Sequence, residues 1–193
     1  MKISIKEVYG DWDLGYALDK HVLSSTYIGD NQYGHPEFNT TRSEVGESLY
    51  QLKYRGDWNR IEPLAEELAR SIYSKFKNVG LLIPMPASNM RAKQPVTELT
   101  RELGKIVGRP VFDDILVKKA DGPQLKDVKT KDEKLEVLKD CFIINDKIEG
   151  IGPWNALLID DLFDTGASLE MACAALRKYS KIKNVYVATL TWK

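Results

Sequence analysis

Cysteine and histidine are scarce in this chain, with two of each among 193 residues. Cys141 and Cys173 sit in separate apolar runs and show neither zinc-ligand spacing nor a disulfide framework, so a stapled scaffold is excluded. A reduced, cytoplasmic protein is the simple expectation. Long hydrophobic runs are missing too: no window approaches the roughly 18 apolar residues of a membrane span. The opening MKISIKEVYGDW has no apolar stretch of signal-peptide length, and no membrane partner is expected. Nor is there an excess of one charge, since Lys plus Arg and Asp plus Glu both number 28. That balance gives no whole-surface pull toward nucleic acid, which is not indicated as a partner. Internal repeats and low-complexity tracts are absent. What remains is 43% hydrophobic and 29% charged, the composition of a chain that buries a real core.

The chain changes texture near residue 57. Residues 1–57 are rich in Gly, Tyr, Trp, Asp and Ser, and read as short strands and loops leading to a helix over 42–54. Residues 58–193 are more regular. Ile61, Leu64, Ala65, Leu68, Ala69, Ile72, Tyr73 and Phe76 recur at helical spacing and predict one helix of about four turns. Asn59 with Glu62 reads as its capping box, and Pro63 is tolerable in a first turn. Val79 to Ile83 predicts a buried strand stopped by Pro84 and Pro86. A second helix is predicted over 95–107, stopped by Gly108-Arg109-Pro110. Strands are predicted over 111–117, 141–145, 156–160 and 185–190, with a helix over 168–179 between the last two. Apolar strands alternating with helices define an α/β fold with a parallel sheet covered on both sides. Such sheets bind ligands beyond the carboxyl ends of their strands. The stretch 118–140 is polar and Lys-rich, and a connection of that length is either a solvated linker or a functional lid.

Residues 156–168 carry the chemistry. Ala156-Leu157-Leu158-Ile159 is an apolar strand that delivers Asp160 and Asp161 to its carboxyl end. Asp164-Thr165-Gly166-Ala167-Ser168 then opens a helix. Small residues, two hydroxyls and free backbone N–H groups at a helix N-terminus are what a phosphate site requires. The upstream carboxylates can accept hydrogen bonds from a sugar diol or hold a hydrated cation. An isolated Asp-Asp is usually a strand-end turn; the phosphate-type turn behind it makes this pair a candidate. Asp-Thr-Gly also resembles the aspartic-protease loop. That fold is all-β, however, and here the loop runs into the helix-patterned SLEMACAALRKY.

The thirteen positions of this run together resemble the signature of type I phosphoribosyltransferases, which binds 5-phosphoribosyl-1-pyrophosphate (PRPP). The resemblance implies a twisted parallel sheet flanked by helices, with a small N-terminal hood in residues 1–57 over a core in 58–193. It implies Mg²⁺ as cofactor and assigns Asp160 and Asp161 to the ribose hydroxyls, directly or through the metal. Asp164, Thr165, Gly166, Ala167 and Ser168 would cradle the 5-phosphate. Asp160, Asp161 and Asp164 are the expected catalytic residues, Asp164 through proton transfer near the base. Ala87, Ser88, Asn89 and Arg91, after a Pro-x-Pro, resemble the pyrophosphate loop of the ComF branch. Leu52-Lys53-Tyr54-Arg55-Gly56-Asp57 also resembles that branch, whose cysteine-rich zinc ribbon residues 1–47 lack. Type I enzymes close a mobile loop over the leaving diphosphate. On that basis Lys118, Lys126 and Lys129, with Lys119 and Lys131, are candidate pyrophosphate partners.

The activity so implied moves ribose 5-phosphate from PRPP to a small-molecule nitrogenous acceptor. Trp12, Tyr16, Tyr27, Tyr33 and Phe38 are candidates to stack on that acceptor, and His21, His35 or Arg42 to read its edge. Proteins of this fold often dimerise, so a homodimer is among the expected assemblies. The alternative from another class is a PRPP- or nucleotide-sensing module without turnover that serves as a partner in DNA metabolism.

Overall fold

The computed structural model describes residues 1–87, 91–119 and 141–193. Expectations placed on Ser88, Asn89, Lys126, Lys129 and Lys131 lie outside the described residues. In chain order the elements are β1 (Lys6–Glu7), β2 (Leu14–Lys20), β3 (Val22–Asp30), β4 (Pro36–Arg42), α1 (Glu44–Arg55), α2 (Ile61–Ser71), β5 (Val79–Pro84), α3 (Pro95–Val107), β6 (Leu116–Lys118), β7 (Phe142–Ile144), β8 (Trp154–Phe163), α4 (Ala167–Arg177) and β9 (Ile182–Trp192).

Five of these strands build the central sheet in the order β1-β2-β9-β8-β5. The terminal strand β1 is antiparallel to β2, while β2, β9, β8 and β5 run parallel. Successive strand residues face opposite sides, and both sides are covered. On one, Leu81, Ile83, Leu158 and Val187 pack against Leu169, Ala172 and Leu176 of α4. On the other, Leu82, Leu157, Ile159 and Leu190 pack against Leu49, Leu64, Leu68, Leu99 and Leu103 of α1, α2 and α3. The expected α/β layers are therefore present.

Three local expectations change. The predicted strand over 111–117 reduces to a single parallel bridge from Val111 to Leu82, followed by β6. Between them Asp113 is ion-paired with Arg101, and the Asn145 side chain donates to the Asp114 carbonyl at 2.7 Å. These contacts bend the chain away from the sheet. The capping box at Asn59 does not form, because residues 58–60 make a 3₁₀ turn and Arg60 becomes the N-cap without a side-chain bond. At its other end α2 stops at Ser71 and a second 3₁₀ turn follows, yet Ile72 and Phe76 stay buried. The apolar period persists through the break, which is why the pattern reads as one long helix. By contrast α3 occupies its predicted span, with Pro95 at its start and Gly108 in the left-handed conformation at its end.

Residues 1–57 divide in two. Strand β2 and helix α1 belong to the sheet and its core. Strands β3 and β4 form a separate exposed antiparallel ribbon. Helix α1 is tied to β2 at its start: the Ser43 hydroxyl accepts from the Gly46 N–H at 3.0 Å and donates to the Lys20 carbonyl at 2.5 Å. Among the described residues no helix is long and apolar enough to cross a membrane.

Helix α1 crosses the chain after β2 so closely that a Cβ on Gly46 would lie 2.2 Å from the His21 carbonyl oxygen. Gly→Ala inside a helix normally stabilises by about 1 kcal/mol. Here the clash with backbone reverses the sign. Gly46→Ala is expected to destabilise by about 2 kcal/mol, the scale of overpacking, and urea unfolding of the two proteins checks it.

Candidate functional site

Strand β8 runs through buried Ala156, Leu157, Leu158 and Ile159 before reaching half-buried Asp160 and Asp161. Its neighbour β5 ends at Pro84, opposite Ile159, and the Met85 N–H donates to the Ile159 carbonyl at 2.8 Å. The chain leaving β5 through Met85, Pro86 and Ala87 is thereby set beside the acidic pair. Around this point lies a cleft of about 370 Å³. Its walls are Asp160, Asp161, Ser168, Met85, Pro86, Ala87 and Arg91, Lys53 and Tyr54 of α1, Gln94 to Val96 at the head of α3, Lys118 of β6 and Phe142 of β7.

The turn after β8 owes its shape to glycine and to an aromatic floor. Gly166 caps α4 at φ 82°, a conformation costly for any residue with a Cβ. A Cβ there would also sit 3.0 Å from the Phe163 ring and 3.3 Å from the Trp12 ring. Those rings meet edge to face at 6.2 Å, and the Trp12 indole N–H donates to the Val8 carbonyl at 3.0 Å. Ser168 reaches the cleft wall. Ala167 is buried against Cys141, and Asp164 is exposed with the Lys193 ammonium 3.6 Å away.

The two carboxylates have different surroundings. Asp160 accepts from the Asp161 backbone N–H at 2.8 Å. Burial, then the neighbouring Asp161 charge, pushes its pKa up to about 8, against the pull of that N–H and of Lys53. Asp161 is held by the Lys53 ammonium at 2.5 Å, with side chains 16% and 29% exposed. Burial works against the charge on Lys53, but Asp161 outweighs it and lifts the lysine above its ordinary range. The Arg91 guanidinium donates to the Lys53 carbonyl at 2.9 Å, and the Thr191 hydroxyl donates to the Asp161 carbonyl at 2.9 Å. His21 lies 3.2 Å from that hydroxyl. Burial, followed by the charges of Arg42 and Lys53, holds the imidazole below its usual pKa.

Among the described residues no group of three or more His, Cys, Asp or Glu converges on a metal position. The donor set at the cleft is one carboxylate pair. That suits Mg²⁺, which takes one or two carboxylates together with water and substrate phosphate oxygens rather than a protein cage.

Of the residues expected in the site, Asp160, Asp161, Ser168, Ala87, Arg91 and Lys118 converge on one cleft. Asp164, Thr165, Gly166 and Ala167 form the turn beside it. The aromatic expectations need correction. Trp12 is locked beneath the turn, and Tyr16 packs edge-on against Phe76 at 5.7 Å. Neither lines the cleft. Tyr27 and Phe38 contact each other at 5.8 Å on the exposed ribbon. Lys53, Tyr54, Gln94 and Phe142 are cleft residues that the site reading passed over. The motif Leu52-Lys53-Tyr54-Arg55-Gly56-Asp57 carries a resemblance without a role, and the register of α1, with Leu49 and Leu52 turned inward, could have pointed to Lys53.

No family model matches the chain. It is 28% identical over 154 residues to the competence protein ComFC of Bacillus subtilis (strain 168), an alignment covering 78% of this chain and 61% of that protein. The chain thus spans about three fifths of the relative's length. Its fold matches the adenine phosphoribosyltransferase of Trypanosoma brucei, solved in complex with AMP, pyrophosphate and ribose-5-phosphate. That match has TM-score 0.52 and 11% identity, and covers 100% of this chain and 76% of the other. The adenine phosphoribosyltransferase of Thermoanaerobacter pseudethanolicus overlays at TM-score 0.49 with 14% identity, over 87% of this chain and 83% of the other. The fold is that of the type I phosphoribosyltransferases. Within that class the chain is ComF-like in sequence.

The Asp160 shift sets a pH dependence. Below about pH 4 the carboxyl is neutral in both states. As pH rises toward 8 the unfolded chain ionises there while the folded protein resists, so stability falls across that window and levels off above it. Relative to Asp160→Asn, the wild type is expected to lose stability from pH 5 to pH 8, by at most about 1.4 kcal/mol per pH unit. Chemical denaturation of both proteins at several pH values measures that difference.

Proposed function

We propose that this chain binds PRPP with Mg²⁺ in the cleft at the end of β8 and transfers ribose 5-phosphate to a nitrogenous base, releasing pyrophosphate. One observation carries the reading: a carboxylate pair, a helix-opening turn and a cationic rim meet at one cleft beyond the carboxyl ends of parallel strands. The T. brucei enzyme of the same fold, bound to AMP, pyrophosphate and ribose-5-phosphate, supports it.

In this reading Asp160 and Asp161 accept hydrogen bonds from the ribose 2- and 3-hydroxyls. Backbone N–H groups of residues 164–168, with the Thr165 and Ser168 hydroxyls, hold the 5-phosphate at the head of α4, where the helix dipole favours an anion. The loop at Ala87, with Arg91 and Lys118, receives the diphosphate. As the bond from C1 to the diphosphate oxygen breaks, the acceptor nitrogen forms its bond to C1 and Asp164 takes the proton it sheds. Asp160 and Asp161, together with oxygens of the donor, would hold Mg²⁺, which when bound would supply positive charge to offset that of the diphosphate. Water must be kept out, because it would compete for the cation-like C1. We assign recognition of the acceptor to residues 1–57, which bring Lys53 and Tyr54 to the cleft wall.

A second reading has one observation in its favour. The relative with 28% identity is a competence protein, which fits a PRPP- or nucleotide-sensing partner module that uses the same cleft without turnover.

Calorimetric titration of PRPP with Mg²⁺ separates these readings. The wild type is expected to bind, and Asp160→Asn with Asp161→Asn to lose at least about 100-fold in affinity, as for two lost hydrogen bonds to charged groups. Equal affinity in the double mutant would remove PRPP from the cleft. Pyrophosphate release with a panel of bases then marks the enzyme, and binding without release marks the sensor.

A further inference from the structure

Lys53 stands out because the reading above gives it no part in holding the donor. It sits in the last turn of α1, where a cation is favoured by the helix dipole. Its placement is rigid. Val45, Leu49 and Leu52 bury the other face of α1, Gly56 terminates the helix in the left-handed conformation, and Arg91 grips the Lys53 carbonyl. The ammonium lies 2.5 Å from Asp161, with both side chains mostly shielded from solvent. This is no screened surface pair. Lys53 also lines the cleft. Among the described residues the hydrogen bond of its ammonium is to Asp161, and an ammonium carries three donors.

Resting on the proposed PRPP site, we propose that Lys53 is a resident cation of the sugar-diol subsite. Its charge does beside Asp161 what a divalent ion would otherwise do. It keeps the carboxylate compensated and oriented, and it presents a further donor to a ribose hydroxyl. Sugar phosphates without a diphosphate, ribose 5-phosphate and nucleoside 5′-monophosphates, then bind without a metal. A divalent ion is required only when the ligand itself brings a diphosphate. The N-terminal region thereby supplies part of the donor site rather than the acceptor site alone. Removing the ammonium leaves a shielded carboxylate without its partner, a costly state that an added divalent cation relieves.

The test is titration of ribose 5-phosphate into wild type, Lys53→Met and Lys53→Arg, each in EDTA and again in Mg²⁺, with PRPP in Mg²⁺ as the reference ligand. The wild type is expected to bind ribose 5-phosphate equally in both buffers, within about twofold. Lys53→Met is expected to lose at least about tenfold in EDTA, some 1.4 kcal/mol, and to recover most of it in Mg²⁺. Lys53→Arg, which keeps a cation, retains metal-free binding. Three results overturn the inference: wild-type binding that needs Mg²⁺, undiminished binding by Lys53→Met in EDTA, or a loss that Mg²⁺ does not restore. The first needs no variant and so survives any failure of Lys53→Met to fold, which circular dichroism reports. If the wild type binds neither PRPP nor ribose 5-phosphate, the PRPP site itself fails. If it binds PRPP with Mg²⁺ but ribose 5-phosphate only with the metal, Lys53 alone is misassigned.

Discussion

A strand buried on both faces that ends in two adjacent carboxylates is under an electrostatic constraint, and much of this structure answers it. Charges at the edge of a core need partners or must give up ionisation. The two acids resolve this differently. Asp160, held by little more than a neighbouring backbone N–H, is driven toward the protonated form. Asp161 takes a lysine from α1 as its partner. Helix α1, which carries that lysine, is fixed at its start by the tight approach of Gly46 to the chain after β2 and by the two hydrogen bonds of Ser43.

The same region receives support from below. Trp12 and Phe163 form the floor on which the Gly166 turn rests. Trp12 reaches that position because Gly10 and Gly15 leave room for its ring, each of whose Cβ positions would fall within 2.5 Å of it. The N-terminal region is thus built into the site from two directions: Trp12 beneath the turn, and Lys53 and Tyr54 on the cleft wall. The ribbon of β3 and β4 is the part of residues 1–57 that stands apart from the central sheet.

Elements whose signals are local were legible in the chain. Helix α3 carries Pro95 and Gly108 at its ends and matches its predicted span. The apolar run before Asp160 could only be a buried strand. The site's central motif was equally plain, because strand, acid pair and helix-opening turn are contiguous. Signals that depended on distant partners were misread. Asn59 offers a capping side chain, but the chain enters α2 through a 3₁₀ turn. Residues 111–117 look extended, yet Arg101 and Asn145 draw the Asp113-Asp114 step off the sheet. Trp12 and Tyr16 were candidates to stack on an acceptor, and they pack against Phe163 and Phe76 instead.

The order of types along the chain by itself determined the α/β class, the strand that carries the acids and the glycine turn behind them. Each depends on neighbours a few residues away, through side-chain alternation, helical period and backbone freedom. Tertiary structure alone decided that Lys53 faces Asp161 and that Trp12 lies under Gly166. Those outcomes join residues more than a hundred positions apart. They depend on burial and charge in three dimensions, which no spacing along the chain encodes.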